Sequence, residues 1–175
     1  MNDVNINSLL RRISYACNKK LSEVKAAIEG VGMEIRIKIL YLLLNNGAMN
    51  FNALHKELGV FKGTLKWHIE KLERAGIVST FRFRNYKYIY IRGLEAKLLR
   101  KIISDNVRRK KQEILRLLKD MCIADDDDEL SRRYRMPRDS VTSLRKLLRA
   151  VLGDIKGHDC RVMLQLLALL IASQV

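Results

Sequence analysis

Apolar residues recur at every third or fourth position along most of the chain, which predicts a mostly helical protein. The first such stretch, Asn7 to Glu29, carries basic residues between its apolar positions and predicts one leading amphipathic helix. Gly30 and Gly32 end it, because glycine adopts helix-terminating conformations at little steric cost. A second stretch, Met33 to Asn45, has one apolar stripe and predicts a helix packed on a core.

Two shorter helical patterns follow on either side of Gly59. The first covers about Asn50 to Leu58 and the second covers Phe61 to Ala75, which Gly76 closes. On the second helix the apolar residues Phe61, Leu65, Ile69 and Leu72 repeat every three or four positions, and Leu65, Ile69 and Leu72 are expected to face inward. Three helices with a tight turn between the last two predict a helix-turn-helix.

After Gly76 the apolar period changes from about 3.6 residues to 2, which indicates strands. Ile77 to Phe83 and Tyr86 to Ile91 are rich in aromatic and branched residues, and the short polar Arg84-Asn85 joins them. They predict a hairpin spanning Ile77 to Arg92. A helix-turn-helix followed directly by a hairpin is the plan of a winged helix.

The second half of the chain partly repeats the first. Leu94 to Met121 reads as a connecting helix. Glu129 to Ala150 then aligns with the first helix-turn-helix: Leu54 matches Leu130, and no gap is needed after that pair. Pro137 suits the first turn of the second recognition-like helix, where a missing N–H is harmless. No wing follows, and Asp139 puts negative charge where a phosphate would lie. We therefore expect this unit to serve packing or oligomerisation, with a protein partner as an option.

The tail Asp159 to Val175 is a further helical pattern, nearly continuous in apolar residues after Gln165. Arg161 and Gln165 leave fewer than the roughly 20 apolar residues that a membrane span needs. We expect this helix to hold a homodimer together instead. Its predicted contact residues are Leu166, Leu167, Leu169 and Leu170.

These patterns divide the chain into four segments. Residues 1–30 form the leading helix, 31–93 the winged helix, 94–157 the connecting helix with the second helix-turn-helix-like unit, and 158–175 the C-terminal apolar helix. The predicted fold class is mostly α with a small β-hairpin: a winged helix-turn-helix plus a second, wingless helix-turn-helix-like helical unit.

The net charge of +15 and the pI near 10 give the surface a positive field that attracts polyanions, nucleic acid first among them. Three widely spaced cysteines argue against a disulfide framework and favour a reducing compartment. With no secretion signal at the start, we expect a cytoplasmic, nucleoid-associated protein.

Motifs for catalysis are missing from the sequence, since it has no Gly-rich phosphate loop and no GxSxG. We expect no enzyme activity, no cofactor and no metal. The acidic run Asp125 to Glu129 lacks the spacing of a calcium loop and is expected to cap a helix beginning near Asp127. His158-Asp159-Cys160 offers neighbouring side chains that point in different directions on a helix and cannot share one ion.

Residues 33–92 resemble the winged-helix domain of ArsR-like transcriptional regulators. The resemblance is carried by Arg36 in the first helix, by the run GTLKWHIEKLERAGIV and by the hairpin, all in order. It implies that the Phe61 to Ala75 helix enters the major groove and that the wing reaches the backbone or the minor groove. Among ArsR-like regulators, some sense metals through paired ligands on a helix. Here His55 stands alone, so metal sensing is not implied.

Exposed residues of this helix and of the hairpin tip are the predicted contacts with double-stranded DNA. They are Lys62, Gly63, Thr64, Lys66, Trp67, Lys71, Arg82, Arg84, Asn85 and Lys87. Trp67 could instead cover the edge of the core. The main alternative function is a tandem winged-helix protein that docks other proteins, organises chromosomes or initiates replication.

Overall fold

The computed structural model describes residues 5–124 and 126–153, together with 159, 160, 162 and 164, without the side chains of 106–112. The chain forms two compact units, one of residues 1–81 and 86–98 and the other of 82–85 and 99–175. As predicted, it is mostly helical with a small antiparallel sheet.

The leading segment consists of two helices, so the prediction of one continuous helix is wrong. They are α1 (Ile6–Ala16) and α2 (Leu21–Ile28). Asn18 adopts a left-handed conformation with φ +50°, which a right-handed helix cannot continue through. The chain then restarts at Lys20, whose backbone N–H donates to the side chain of Glu23 at 2.8 Å. Both α1 and α2 bury a short apolar stripe, and in the sequence these two stripes look like the stripe of one helix.

The first unit continues with the elements of a winged helix. They are α3 (Met33–Asn46), β1 (Ala48–Asn50), α4 (Phe51–Leu58), α5 (Lys62–Arg74), β2 (Val78–Phe83) and β3 (Tyr86–Ile91). The strand order is β1-β3-β2, with Ala48 opposite Tyr90 and Asn50 opposite Tyr88. Strand β1 was not predicted from the sequence, since three residues are too few to show a period of two.

The core of the first unit lies among α1 to α5 and the inner face of the sheet. Its fully buried side chains include Ile13, Val24, Ile39, Leu40, Leu43, Leu54, Leu65, Leu72, Ile77, Ile89 and Ile91. Asn50 caps α4 by accepting from the Ala53 N–H at 2.9 Å, and Gly59 ends that helix in the left-handed region with φ +65°. These local signals hold α5 at a defined angle across the core.

The second unit contains most of α6 (Glu95–Met121), followed by α7 (Asp127–Tyr134) and α8 (Arg138–Leu152). Asp126 caps α7 by accepting from the N–H groups of Asp128 and Glu129 at 2.8 and 3.3 Å, so the predicted capping role of the acidic run is confirmed there. Pro137 lies at the N-cap of α8, one residue before the helix. Within the described residues, no strand follows α8.

A disulfide joins Cys122 to Cys160 across a Cα–Cα distance of 5.7 Å, and Cys17 is free. The expectation that the cysteines form no disulfide is therefore wrong for this pair. The two residues are separated by 38 positions, and folding brings them together in a way that spacing alone does not reveal. With this disulfide present, the cysteines no longer favour a reducing compartment.

The predicted dimer residues Leu166, Leu167, Leu169 and Leu170 lie outside the described residues. In the part of the chain that the structure describes, no helix is both long and apolar enough to cross a membrane.

Candidate nucleic-acid interface

Helix α5 buries one face and exposes the other. Leu65, His68, Ile69 and Leu72 point into the core. The opposite face exposes five of the predicted contact residues and leaves a sixth, Lys71, half-buried. We call this face the recognition surface: Lys62, Gly63, Thr64, Lys66, Trp67 and Lys71.

Leu65, Ile69 and Leu72 are buried as predicted, but Phe61, the first residue of the apolar repeat, is not. It is the N-cap of α5, with an extended backbone of φ −58° and ψ 143°, and its side chain is 85% exposed. Phe61 stands four residues before Leu65, as a residue on the same helix face would, but the helix begins only at Lys62. A large aromatic ring therefore stands in solvent beside the first turn, and it adds an apolar group to the recognition surface.

The N-terminal end of α5 offers positive charge and free backbone donors. The N-cap makes no side-chain hydrogen bond to the first turn, so its N–H groups are open to an anionic oxygen. Lys66 lies 3.8 Å from Glu70 along the helix, but its side chain is 69% exposed. Such an exposed pair contributes little, so Lys66 can exchange this partner for a phosphate.

Trp67 and Lys71 form a connected pair on the surface. The Lys71 Nζ lies 5.8 Å from the centre of the Trp67 ring and 3.5 Å from the carbonyl oxygen of Glu29. The indole is 45% exposed, and its edge packs on His68 at a centroid distance of 4.7 Å. Trp67 thus covers the core edge and also presents a ring to solvent, which combines both sequence interpretations.

A fully buried arginine sets the position of α5. The guanidinium of Arg36 donates to the carbonyl oxygens of Ile28 (3.0 and 2.6 Å), Glu29 (2.8 Å) and Val31 (2.9 Å) at the end of α2. Its Nη1 also lies 3.2 Å from Nδ1 of His68. Arginine has only donors, so Nδ1 accepts, which requires the neutral ring with its proton on Nε2.

Burial, and then the charges of Arg36 and Lys71, lower the pKa of His68 below its usual 6.5. The recognition helix is therefore tied through His68 and Arg36 to the end of α2. From the sequence, Arg36 stood out only as part of a resemblance to a family. Its place three and four residues before the apolar Ile39 and Leu40, on the side of the helix that they bury, is the signal that could have shown its buried role.

The side chains of the hairpin tip are less available for contact with DNA than the sequence implies. Arg82 and Asn85 are exposed and Lys87 is half-buried. Arg84, at φ +53°, forms an ion pair with Glu113 of α6 at 3.6 Å. Of the four predicted tip residues, Arg84 is thus partly neutralised by an acid that no local pattern indicates.

The tyrosines of β3 pack against the protein more than they face solvent. Tyr88 is buried, and Tyr86 and Tyr90 are half-buried. Burial raises the pKa of Tyr90 above its usual value. These tyrosines therefore form a packing face of the hairpin and not a platform for stacking single-stranded bases.

Residues 34–79 match the model of the winged helix-turn-helix DNA-binding family. The chain carries a winged helix-turn-helix domain of the DNA-binding type. The match spans α3 to the start of β2, about a quarter of the chain, and includes the whole recognition surface. Searches of the curated proteins and of the solved structures found no match.

Proposed function

We propose that this protein is an ArsR-like, sequence-specific transcriptional regulator that binds double-stranded DNA as a homodimer. The observation that carries the proposal is the exposed face of α5 within the matched domain, which combines lysines, free N–H groups and a solvent-facing phenyl ring. In this proposal α5 occupies the major groove, where lysine and threonine side chains reach base edges and phosphates. Occupancy of an operator is the regulatory event.

The hairpin tip contributes contacts with the DNA backbone in this proposal. Arg82 and Asn85 are exposed for that role. Arg84 contributes less than its charge implies, because Glu113 already pairs with it. We expect Arg82→Ala to weaken binding to all duplexes evenly, since phosphate contacts carry no sequence information.

A homodimer places two recognition helices on one DNA and matches the half-site logic of helix-turn-helix proteins. Leu166 and Leu170 are proposed to lie in its contact. Leu166→Asp with Leu170→Asp should then yield a monomer with weakened DNA binding, measured by light scattering and a titration. A wild-type protein that is monomeric at micromolar concentration would contradict the dimer. The proposed location is the cytoplasm, on the nucleoid.

The main competing function is protein docking by a winged helix. Docking surfaces usually lack a basic recognition helix, whereas four exposed or half-exposed basic residues of α5 face away from the core here: Lys62, Lys66, Lys71 and Arg74. This charge favours DNA. An enzyme is not proposed, since no arrangement of groups in the described residues calls for one.

The deciding experiment is recovery and sequencing of genomic fragments bound by the purified protein. One enriched motif is expected, together with a log–log salt dependence of the affinity on the order of −4 to −8 for a dimer. Lys66→Ala should reduce discrimination between the motif and other duplexes. Lys38→Ala, an equal charge change on the exposed face of α3, is the matched control. No enriched motif and a salt-independent affinity would refute the proposal.

A further inference from the structure

The pair α7–α8 reproduces α4–α5 at a constant shift of 76 residues. Asn50 and Asp126 are the N-caps of α4 and α7, and each accepts a hydrogen bond from the N–H three residues on. Gly59 and Arg135 end these helices in the same left-handed conformation, with φ +65° and +48°. Helices α5 and α8 then both begin three residues after these turn positions.

The buried positions repeat at the same shift. The equivalent buried pairs are Leu54 and Leu130, Leu65 and Val141, and Leu72 and Leu148. Matching caps, turns and core positions make α7–α8 a helix-turn-helix in geometry as well as in sequence. The exposed faces differ, however: of the positions equivalent to the recognition surface, Ser140 and Leu147 are buried, and α8 exposes Lys146 and Arg149 instead.

Most acids near this pair are already bound to partners within the second unit. Asp120 accepts from Arg133 at 3.0 Å and from Tyr134 at 2.7 Å. Burial first, and then this hydrogen bond to Asp120, raise the pKa of Tyr134 to about 12. Asp127 accepts from Thr142 at 2.6 Å and from the buried Arg145 at 2.7 Å. The carboxylates of Asp120 and Asp127 therefore stabilise the second unit through these hydrogen bonds.

Several basic side chains remain exposed on this helix-turn-helix. We call Arg135, Lys146 and Arg149 the α8 basic surface. Lys146 and Arg149 are three residues apart and share one face of α8, and Arg135 lies in the turn before that helix. All three are exposed, and within the described residues none of them forms an ion pair. Asp139 is the single acid in α8.

Arg135 holds its left-handed conformation at a cost of about 1–2 kcal/mol that glycine would avoid, and the equivalent residue in the first unit is glycine. In the part of the chain that the structure describes, its guanidinium forms no ion pair with an acid that would offset this cost. The planar fork of an arginine suits a phosphate group. Arg135 is the C-cap of α7, and in helix-turn-helix complexes the first helix of the pair crosses the DNA backbone.

We propose that α7–α8 is a second DNA-contacting unit that binds backbone phosphates through the α8 basic surface. The inference rests on the proposed DNA binding of the first unit and adds a second site to it. It replaces the expectation that Asp139 and the missing wing restrict this unit to packing. Asp139 is the one acid of α8, where Lys146 and Arg149 are exposed, and phosphate contacts need no wing. Contacts of this kind add affinity and salt dependence but no sequence preference.

The test uses the full-length protein with Arg135→Gly, Lys146→Gln and Arg149→Gln combined. Glycine suits the left-handed turn, so the fold is retained. The matched control removes three exposed lysines outside both helix pairs, as Lys25→Gln, Lys38→Gln and Lys119→Gln. Circular dichroism and thermal unfolding confirm that both variants are folded.

Binding to a 40-base-pair duplex of mixed sequence is measured by fluorescence anisotropy across a salt series. Each lost phosphate contact makes the log–log slope shallower by about 0.9, so the triple variant should lose about 2 to 3 per protomer relative to the control. Its hydroxyl-radical footprint should shorten, while the preference for the enriched motif is retained.

A triple variant with the slope and footprint of the control would overturn the inference and assign the α8 basic surface to an acidic protein partner. The proposed function would still stand if Lys62→Gln with Lys66→Gln abolished motif preference in the same assays. Loss of salt-dependent duplex binding in the wild-type protein would refute both.

Discussion

Replacing Arg36 with Met tests how the recognition helix is held in place. Methionine keeps most of the side-chain length and removes every donor. The carbonyl oxygens of Ile28, Glu29 and Val31 then lose bonds of 2.6–3.0 Å to a charged group, and Nδ1 of His68 loses its donor. The end of α2 is thereby detached from α5.

The expected loss in the free energy of unfolding depends on which of these acceptors water can reach. A bond to a charged group contributes about 1.5–3 kcal/mol, and a buried acceptor without a partner costs about 1–3 kcal/mol. Glu29 and Val31 are exposed, so water can replace the donor at their carbonyls, whereas Ile28 and His68 are buried. Removing the buried charge offsets part of the loss. We expect the free energy of unfolding to fall by about 3 kcal/mol.

The assay is urea unfolding followed by far-ultraviolet circular dichroism, with Lys38→Met on the exposed side of α3 as the control. The control should change stability by less than about 0.5 kcal/mol. Arg36→Lys keeps the charge but lacks the fork, so it should lie between the wild type and Arg36→Met. A stability of Arg36→Met within about 0.5 kcal/mol of the wild type would show that the guanidinium does not anchor α5.

Three further outcomes are expected. The pKa of His68 lies below 6.5 through burial first and then the charges of Arg36 and Lys71. The unfolded chain therefore gains a proton first as pH falls below about 6.5, and stability should decline from there to the folded pKa. His68→Gln should flatten that decline in urea midpoints measured between about pH 7.5 and 5.5; an unchanged decline would exclude His68 as its source. Cys160→Ser removes a cross-link over 38 residues and should lower stability by about 4 kcal/mol in the chain-entropy model, a difference that must vanish under reducing conditions. Phe61→Ala should weaken binding to the enriched motif, and replacing one thymine by deoxyuridine should weaken the wild type but not this variant if the ring contacts a thymine methyl; equal losses in both proteins would place the ring elsewhere.

The sequence determined the elements whose signals are local. The period of 3.6, its change to 2 after Gly76, and the glycine at the turn between α4 and α5 each act within a few residues, so they predicted the winged helix and its recognition surface. The shift that places Leu54 on Leu130 also predicted the second helix pair, because caps and turns repeat with the apolar positions.

Tertiary structure decided the features that depend on partners distant in the chain. Asn18 breaks the leading helix although the apolar spacing runs on, since the two short stripes meet the same core. Phe61 is exposed because α5 begins one residue after it, a boundary that periodicity does not resolve. Cys122 meets Cys160 only through folding. Glu113 lies 29 positions after Arg84, and folding brings it close enough to form the ion pair that partly neutralises this arginine. Hydrophobic period reports which face of an element is buried, whereas the identity of a distant neighbour is set by how the elements pack.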